Sequence, residues 1–292
     1  MSTASLNDQL KSWPLALLPH QLLSRLVRVL TRWRMPWFKN FLINTFIRSF
    51  DVSMTEAEAP NADSYENFNH FFTRALRPGA RPFPADPGRL ASPVDGRVSQ
   101  AGSIQANRLL QAKGRDYTLE ALLGGNSTHA ALFSEGSFAT LYLSPRDYHR
   151  IHMPCPGQLH STLYVPGRLF SVAPHTTRAI PGLFTRNERL ICLFETPHGP
   201  MALIMVGAIF VSCMETVWSG IVNPHMGMTL TETLFDRRGL SLDRGAEMGR
   251  FNMGSTVILL FAERRISWDA ALQAGTPLRL GEEIGRPFSA SG

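Results

Sequence analysis

The chain has 292 residues, of which 44% are hydrophobic and 18% are charged, so it can bury a substantial core. Its three cysteines are too few and too scattered for a disulfide scaffold or a zinc ribbon. The net charge of +6 is concentrated near the N-terminus, because residues 11–50 hold seven basic and no acidic residues. A nucleic-acid-binding protein more often carries its basic footprint across the folded domain, so no nucleic-acid partner is expected.

Residues 14–50 show the periodicity of two amphipathic helices that are separated at Pro36. An apolar and aromatic face opposite a basic face without acids is typical of a helix at an anionic membrane surface. We therefore predict that residues 1–60 form a membrane-docking region. The alternative is a helical pair packed on the body or in a dimer interface. The residues expected to contact the membrane are Arg25, Arg28, Arg32, Trp33 and Trp37.

The longest apolar run, Met201–Cys213, has 13 residues, against about 20 for a membrane-spanning helix. It is typical of a buried strand pair, or of one strand that bends at Gly207. The apolar residues of the N-terminus are interrupted by arginines and do not form a signal peptide. The expected localisation is therefore peripheral, on the cytoplasmic side of the cell membrane.

Residues 51–92 are a polar, proline-rich connector with one helical piece. From residue 93 onward, short apolar segments alternate with turns, and a helix is predicted at 117–124. The predicted strands are residues 137–143, 159–165, 189–196, 201–212, 214–218 and 256–261. The predicted fold class is α+β, with N-terminal amphipathic helices followed by a mainly β catalytic domain over residues 61–292.

Three short clusters hold the residues suited to chemistry. They are SPVDG at residues 92–96, SPRDYHRIHMP at 144–154 and EMGRFNMGST at 247–256. Each cluster has a structural explanation by itself, as a turn, a strand or a loop-to-strand junction. No metal site is expected at His149 and His152, because they lack a third ligand and would face opposite sides of a strand.

Asp95, His152 and Ser255 supply an acid, a base and a hydroxyl, which together suit nucleophilic catalysis. The sequence alone does not show that they meet in space. Longer motifs bear on the question, namely FFTRALRPGARP, QAKGRDYTLEALLGGN, YLSPRDYHRIHMPCPG, YVPGRLFSV, LFTRNERLICLFET, VGAIFVS, ETVWSG and EMGRFNMGSTVILLF. Through these motifs, nearly the whole chain resembles the phosphatidylserine decarboxylase family, in its bacterial, membrane-associated, pyruvoyl-dependent type.

The resemblance implies a proenzyme that cuts itself between Gly254 and Ser255. The products are a large β chain, residues 1–254, and a small α chain, residues 255–292. The resemblance also implies that Asp95, His152 and Ser255 act as a triad in this cleavage, and that Ser255 becomes a covalent pyruvoyl group. No metal and no pyridoxal phosphate is then required.

The implied reaction is decarboxylation of phosphatidylserine to phosphatidylethanolamine through a Schiff base to the pyruvoyl group. His149 is the candidate for headgroup contact or proton donation. The implied partners are phosphatidylserine in anionic membranes and the two chains of one precursor, associated as a dimer of heterodimers.

The chain departs from the family pattern at Met253, where leucine is usual. Methionine nearly conserves volume and polarity, so the apolar subsite is expected to remain filled. Two alternatives stay open at this point. One is a serine hydrolase that uses Asp95, His152 and Ser255 without chain cleavage. The other is a membrane-binding protein that has kept the fold without activity.

Overall fold

The computed structural model describes residues 5–16, 18–112, 114–209, 213–222, 227–235 and 239–289. Its helices are α1 (Leu6–Ala16), α2 (His20–Thr31), α3 (Pro36–Phe50), α4 (Phe68–Phe72), α5 (Leu119–Leu122), α6 (Ser127–Leu132), α7 (Pro174–Ala179) and α8 (Leu183–Arg186), with a 3-10 turn at Ala62–Ser64. The three longest helices precede the strands, which confirms the predicted α+β class.

The strands begin at residue 90 and continue to the C-terminal region. They are β1 (Leu90–Ala91), β2 (Gly96–Ser103), β3 (Arg108–Ala112), β4 (Arg115–Thr118), β5 (Ser137–Leu143), β6 (Arg150–His152), β7 (Gly157–Val165), β8 (Arg189–Thr196), β9 (Gly199–Val206), β10 (Cys213–Thr216), β11 (Gly220–Ile221), β12 (Thr231–Leu234), β13 (Ser241–Leu242), β14 (Glu247–Asn252), β15 (Ser255–Phe261), β16 (Ile266–Trp268), β17 (Pro277–Leu278) and β18 (Glu283–Pro287).

The N-terminal helices follow the predicted break at Pro36, which is the first residue of α3. Helix α3 ends at Asp51, whose φ of 52° is left-handed. Helix α1 was not predicted as a separate helix, because its polar sequence carries little apolar periodicity. It is held on the body by Asp8, whose carboxylate lies 2.7 Å from the guanidinium of Arg178 in α7.

The largest sheet is antiparallel, with strand order β12-β7-β8-β9-β15-β5-β2-β17 and with β13 also paired to β7. Strand β15 lies near its middle, between β9 and β5. Alternate residues of β15 enter two different cores, with Val257 and Leu259 on one face and Ile258 and Leu260 on the other. Burial of both faces explains why this strand reads as an unbroken apolar run.

Most predicted strands are confirmed. Residues 137–143 and 189–196 coincide with β5 and β8, and the predictions at 159–165 and 256–261 fall within β7 and β15. The prediction at 214–218 corresponds to β10, which ends at Thr216.

Two predictions need correction. The run at 201–212 is strand only to Val206, because the pairings of β9 with β8 and with β15 both end there, and residues 210–212 lie outside the described part. The helix predicted at 117–124 is limited to α5. Tyr117 and Thr118 belong to β4, and the Thr118 hydroxyl then caps α5.

A smaller sheet, with order β11-β10-β14-β6, meets the large sheet at two neighbouring connections. Strand β5 continues through residues 144–149 into β6, and β14 continues through residues 253–254 into β15. Because β5 pairs with β15 and β6 pairs with β14, the two connections run side by side. The second and third sequence clusters therefore meet at the junction of the two sheets.

Candidate active site

The backbone brings the cleavage motif against the histidine cluster. Ser255 is paired with Leu143 at the end of β5, and the amide of Phe251 donates to the carbonyl of His149 at 3.0 Å. The segment 144–149 therefore lies beside the turn at Met253 and Gly254. Asp147 closes this segment by accepting hydrogen bonds from the amide and hydroxyl of Ser144, at 2.6 and 2.7 Å.

The turn before Ser255 has an unusual backbone. Met253 has a φ of 89° and Gly254 a φ of 49°, so two successive residues are left-handed. Such a conformation is strained for a residue with a side chain, whereas glycine adopts it readily. A Cβ placed on Gly254 would meet no heavy atom within 4 Å. The bond at which the sequence resemblance predicts cleavage thus follows a strained residue and an open glycine.

His149 is fully buried at this junction. Its ring lies against Phe72 of α4, with centroids 4.1 Å apart. Neither ring nitrogen has a hydrogen-bond partner among the described residues. Burial, with a further contribution from the charge of Arg74, lowers the pKa of His149 to about 3. The imidazole is therefore neutral at physiological pH. His149 was predicted to contact the headgroup or to donate a proton, and the charged imidazolium form is not available for the second role.

His152 is held through both ring nitrogens. Its Nδ1 lies 2.7 Å from the carbonyl oxygen of Gly245, and its Nε2 lies 3.0 Å from the hydroxyl of Tyr148. Burial lowers the pKa of His152. The backbone amide of His152 also donates to the carbonyl of Pro93 at 2.9 Å, two residues before Asp95. The acid cluster and the histidine cluster are therefore neighbours.

Asp95 is nevertheless not hydrogen-bonded to His152. Arg81 donates to both of its carboxylate oxygens, at 2.8 and 2.5 Å, and the amide of Leu280 donates at 2.7 Å. A guanidinium matches a carboxylate with two parallel bonds, so Arg81 fixes the orientation of this acid. The structure brings Asp95 and His152 into one region without the expected contact between them.

A cleft of about 550 Å³ opens at this junction, and Asp95, Ser144 and Arg146 belong to its lining. An adjoining cleft of about 280 Å³ shares Asp95 and Arg146 and also includes Arg74 and Tyr148. Both clefts are bordered by Asp51 at the end of α3. Both clefts are thus lined by charges of both signs.

Sequence reasoning missed four residues of this region. They are Phe72, Arg74, Arg81 and Tyr148. The first three lie in the motif FFTRALRPGARP, which was interpreted as part of a connector. The signal was the presence of two aromatic and three basic side chains in one short polar stretch. Tyr148 lies within the cluster at 144–154, directly before His149, but it was not selected as a candidate.

The predicted membrane residues are outside the lining of both clefts. Arg25 and Arg28 lie on α2, Arg32 and Trp33 lie between the two helices, and Trp37 lies on α3. Arg25, Trp33 and Trp37 are exposed, whereas Arg28 and Arg32 are half-buried. The Arg32 guanidinium lies 3.5 Å from Cys213 Sγ, so this side chain is also tied to the body.

The burial of α2 is inverted relative to an ordinary surface helix. Its polar Ser24 and Thr31 are buried, whereas Leu22, Leu26 and Val29 are 65%, 54% and 70% exposed. A helix on a soluble surface normally turns its apolar stripe inward. Helix α2 therefore presents an apolar stripe outward. Within the described residues, no helix combines the length and hydropathy needed to cross a bilayer.

Comparison with known proteins gives a consistent result over nearly the whole chain. The family model for phosphatidylserine decarboxylase matches residues 68–286, and a second model, described as PSD, matches residues 10–51. The chain belongs to the phosphatidylserine decarboxylase family.

Three similar relatives are each named phosphatidylserine decarboxylase proenzyme. The protein from Methylococcus capsulatus is 51% identical, over 92% of this chain and 93% of its own. The protein from Stutzerimonas stutzeri is 50% identical, over 92% and 91%. The protein from Bordetella pertussis is 49% identical, over 97% and 96%. In the part of the chain that is described, no group of three or more His, Cys, Asp or Glu side chains is placed to hold a metal ion.

Proposed function

We propose that this member of the phosphatidylserine decarboxylase family cuts its own chain at Gly254–Ser255 and then converts phosphatidylserine to phosphatidylethanolamine and carbon dioxide. The observation that carries the proposal is the left-handed turn at Met253 and Gly254, directly before a serine and beside His149. A strained turn with an open glycine suits attack by the following hydroxyl. Family membership supplies the chemistry that such a turn would serve.

The cleavage is an intramolecular acyl shift followed by elimination. The Ser255 hydroxyl loses its proton and attacks the Gly254 carbonyl carbon, and the peptide nitrogen leaves to give an ester. Loss of the Ser255 α-proton expels Gly254 as a carboxylate and leaves a double bond between Cα and Cβ. One water then replaces the nitrogen, which departs as ammonia. The products are a chain ending at Gly254 and a chain that begins with a pyruvoyl group.

The residues present fit this group. The hydroxyl of residue 255 provides both nucleophile and leaving group, and the absence of a Gly254 side chain leaves the carbonyl approachable. When formed, the pyruvoyl group supplies an electron-withdrawing carbonyl for the substrate amine. His152, which burial keeps neutral, is proposed as the base that receives the Ser255 proton. Asp95 is proposed to stabilise the resulting cation through space rather than through a hydrogen bond.

His149 is proposed to contact the substrate at the reacting end. Neither ring nitrogen meets a hydrogen-bond partner within the part of the chain that the structure describes, and a buried polar group of this kind is costly unless a ligand satisfies it. Because its pKa is far below neutrality, it acts as a neutral hydrogen-bonding group. It is thereby proposed to orient the headgroup beside the apolar ring of Phe72.

Membrane docking is proposed for α2 and α3. The apolar stripe of α2 is exposed, as are Trp37 and Phe41 of α3, and the exposed Arg25 lies beside the stripe at i+3 from Leu22 and i−4 from Val29. Such a helix lies in the interface of an anionic bilayer, where phosphatidylserine is found. The enzyme is thus proposed to attach peripherally to the cytoplasmic face of the cell membrane. Assembly as a dimer of heterodimers remains a prediction.

Intact-mass spectrometry of the denatured protein tests the proposal. Two chains are expected, 1–254 and 255–292, with the small chain lighter than its serine-started sequence by one ammonia. The Ser255→Ala variant is the control and should give one intact chain. The wild-type preparation should also release carbon dioxide from phosphatidylserine vesicles. An intact wild-type chain that is labelled at Ser255 by a serine-reactive phosphonate would support the hydrolase alternative and contradict self-cleavage.

A further inference from the structure

The hydroxyl of Tyr148 is hydrogen-bonded to His152. It lies 3.0 Å from His152 Nε2, and the two rings are inclined by 31° with centroids 5.7 Å apart. The other ring nitrogen, Nδ1, faces the Gly245 carbonyl at 2.7 Å. A carbonyl oxygen can only accept, so Nδ1 carries the proton and Nε2 has the lone pair. Tyr148 must therefore donate its hydroxyl hydrogen to Nε2.

The position of Tyr148 gives this bond its significance. Tyr148 belongs to the segment 144–149 that runs beside the turn at 253–254, whereas His152 pairs with Glu247 farther along β14. Tyr148 is 5% exposed and lines the cleft of about 280 Å³ together with Asp95 and Asp147. The side chain of Tyr148 thus reaches from the cleft to the histidine.

The charges around the pair are fixed. Arg150 of β6 lies 2.9 Å from Glu247 of β14, and Arg250 of β14 lies 2.8 Å from the same carboxylate. Asp95 faces the pair from the turn that follows β1 and is itself paired with Arg81. Burial raises the pKa of Tyr148, so its hydroxyl remains a neutral donor.

We infer that Tyr148 relays the proton to His152 during self-cleavage and is the positioning residue through which this histidine acts. The inference rests on the proposed function. The lone pair of Nε2 already accepts a hydrogen bond from the Tyr148 hydroxyl. The proton that is transferred to Nε2 is therefore the Tyr148 hydroxyl proton. The Tyr148 oxygen takes a replacement proton from the side of the reacting serine. The step leaves a neutral tyrosine and an imidazolium, and the reverse transfer protonates the departing peptide nitrogen.

The first test measures precursor half-life after cell-free synthesis, over a series of pH values. Tyr148→Phe is expected to slow self-cleavage by about 100-fold or more, the lower end of the range for a proton-transfer group. The midpoint of the acid limb should also move to higher pH, because the lost bond stabilised neutral His152. Tyr117→Phe removes the hydroxyl of another buried tyrosine, in the opposite core, and should leave the rate unchanged. A Tyr148→Phe rate equal to or faster than wild type would overturn the relay.

The second test does not depend on cleavage. In the Ser255→Ala precursor, nitrogen NMR of labelled histidines should show His152 protonated at Nδ1, with assignment by His152→Gln. Adding Tyr148→Phe should raise the titration midpoint of His152. A proton on Nε2, or an unchanged midpoint, would contradict the inference. An uncut wild-type chain would instead count against the proposed function, and this spectrum would still report on the Tyr148–His152 bond.

A variant with 3-fluorotyrosine at position 148 guards against misfolding. It keeps the shape of the side chain and makes the hydroxyl more acidic. The relay predicts that the acid limb of the cleavage rate shifts although the unfolding midpoint does not. A role limited to packing predicts no shift, and that result would overturn the inference even if Tyr148→Phe fails to fold.

Discussion

The ring of Phe72 lies against the imidazole of His149, with centroids 4.1 Å apart and planes inclined by 37°. Phe72 belongs to an aromatic cluster that α4 shares with α3, and Met253 of the cleavage motif packs against the same cluster. The helix that carries Trp37 and Phe41 on its outer face therefore contacts, through its inner face, the residues around the bond to be cut. The proposed membrane surface and the candidate active site are separated by one aromatic layer.

His149→Ala is expected to separate the two activities. Decarboxylation of phosphatidylserine should fall by about 100-fold or more, since a buried hydrogen-bonding group would no longer orient the headgroup. Self-cleavage should stay within a few-fold of wild type, because His152 serves that step. His160→Ala, which alters an exposed histidine on β7, is the matched control. Normal decarboxylation by His149→Ala, measured as carbon dioxide release, would refute the role.

The buried His149 is also expected to make the fold sensitive to acid. Its pKa of about 3 lies below the ordinary value of 6.5, so the unfolded chain binds a proton first as pH falls. The stability from this group is thus complete above pH 6.5 and is lost on acidification, by up to about 1.4 kcal/mol per pH unit.

Urea unfolding of the uncut Ser255→Ala chain at pH 7.5, 6.5 and 5.5 measures this loss. Adding His149→Leu should reduce the pH dependence, whereas adding His160→Gln should not. His152 contributes in the same direction, because burial also lowers its pKa. Equal pH dependence with and without His149 would show that the imidazole is not buried in the folded chain.

The strain at Met253 is expected to speed the cleavage. Glycine adopts a φ of 89° readily, so Met253→Gly relieves strain of about 1–3 kcal/mol and should lengthen the precursor half-life by about fivefold or more. Met253→Leu is the matched control, because it keeps the Cβ, the strain and an apolar contact with the aromatic cluster. Leucine should therefore match wild type. Equal half-lives for the glycine and leucine variants would rule out a role for the strain.

Helix α2 is expected to carry much of the membrane affinity. Replacing Leu22, Leu26 and Val29 together by serine removes its outward apolar stripe while leaving the buried Ser24 and Thr31 in place. Co-sedimentation with phosphatidylserine-containing vesicles at low salt should weaken at least about tenfold. Arg25→Glu should weaken it further, by about 1 kcal/mol or more. Arg264→Glu, an exposed charge in the turn after β15, should have no effect.

Unchanged vesicle binding by the triple serine variant would contradict docking through α2. The alternative considered from the sequence, helices packed on the body, is partly observed as well. Asp8 pairs with Arg178, and Arg32 contacts Cys213. These contacts hold the helices in place without covering the outward face of α2. Packing on the body and docking on a membrane thus use different faces.

The sequence predicted the elements whose pattern is local. The strands at 137–143 and 189–196 are continuous apolar runs bounded by turns, and both predictions coincide with the structure. Helix α3 was likewise marked by Pro36. Local pattern misled at residue 207, because the pairings of β9 with β8 and with β15 both end at Val206. No periodicity in the sequence shows how far the neighbouring strands extend.

The residues of the candidate site were likewise predicted in part, whereas their pairings were not. The resemblance pointed to Asp95, His149, His152 and Ser255, and the fold brings their segments to one junction. It did not indicate that Arg81 donates hydrogen bonds to the carboxylate of Asp95, or that the Tyr148 hydroxyl is hydrogen-bonded to His152. Such pairings depend on how loops cross between two sheets. Long-range contacts of this kind become visible only when the register of the strands is known.

The central place of β15 has a consequence for what self-cleavage would do to the molecule. The segment 255–292 contributes β15, β17 and β18, which pair with β5, β9, β2 and β1 of the preceding chain. A cut before Ser255 leaves every one of these ladders intact, so the two pieces would stay interlocked without a covalent link. Folding would then have become a bimolecular equilibrium. The midpoint of thermal unfolding should depend more steeply on protein concentration in the cut form than in the Ser255→Ala form.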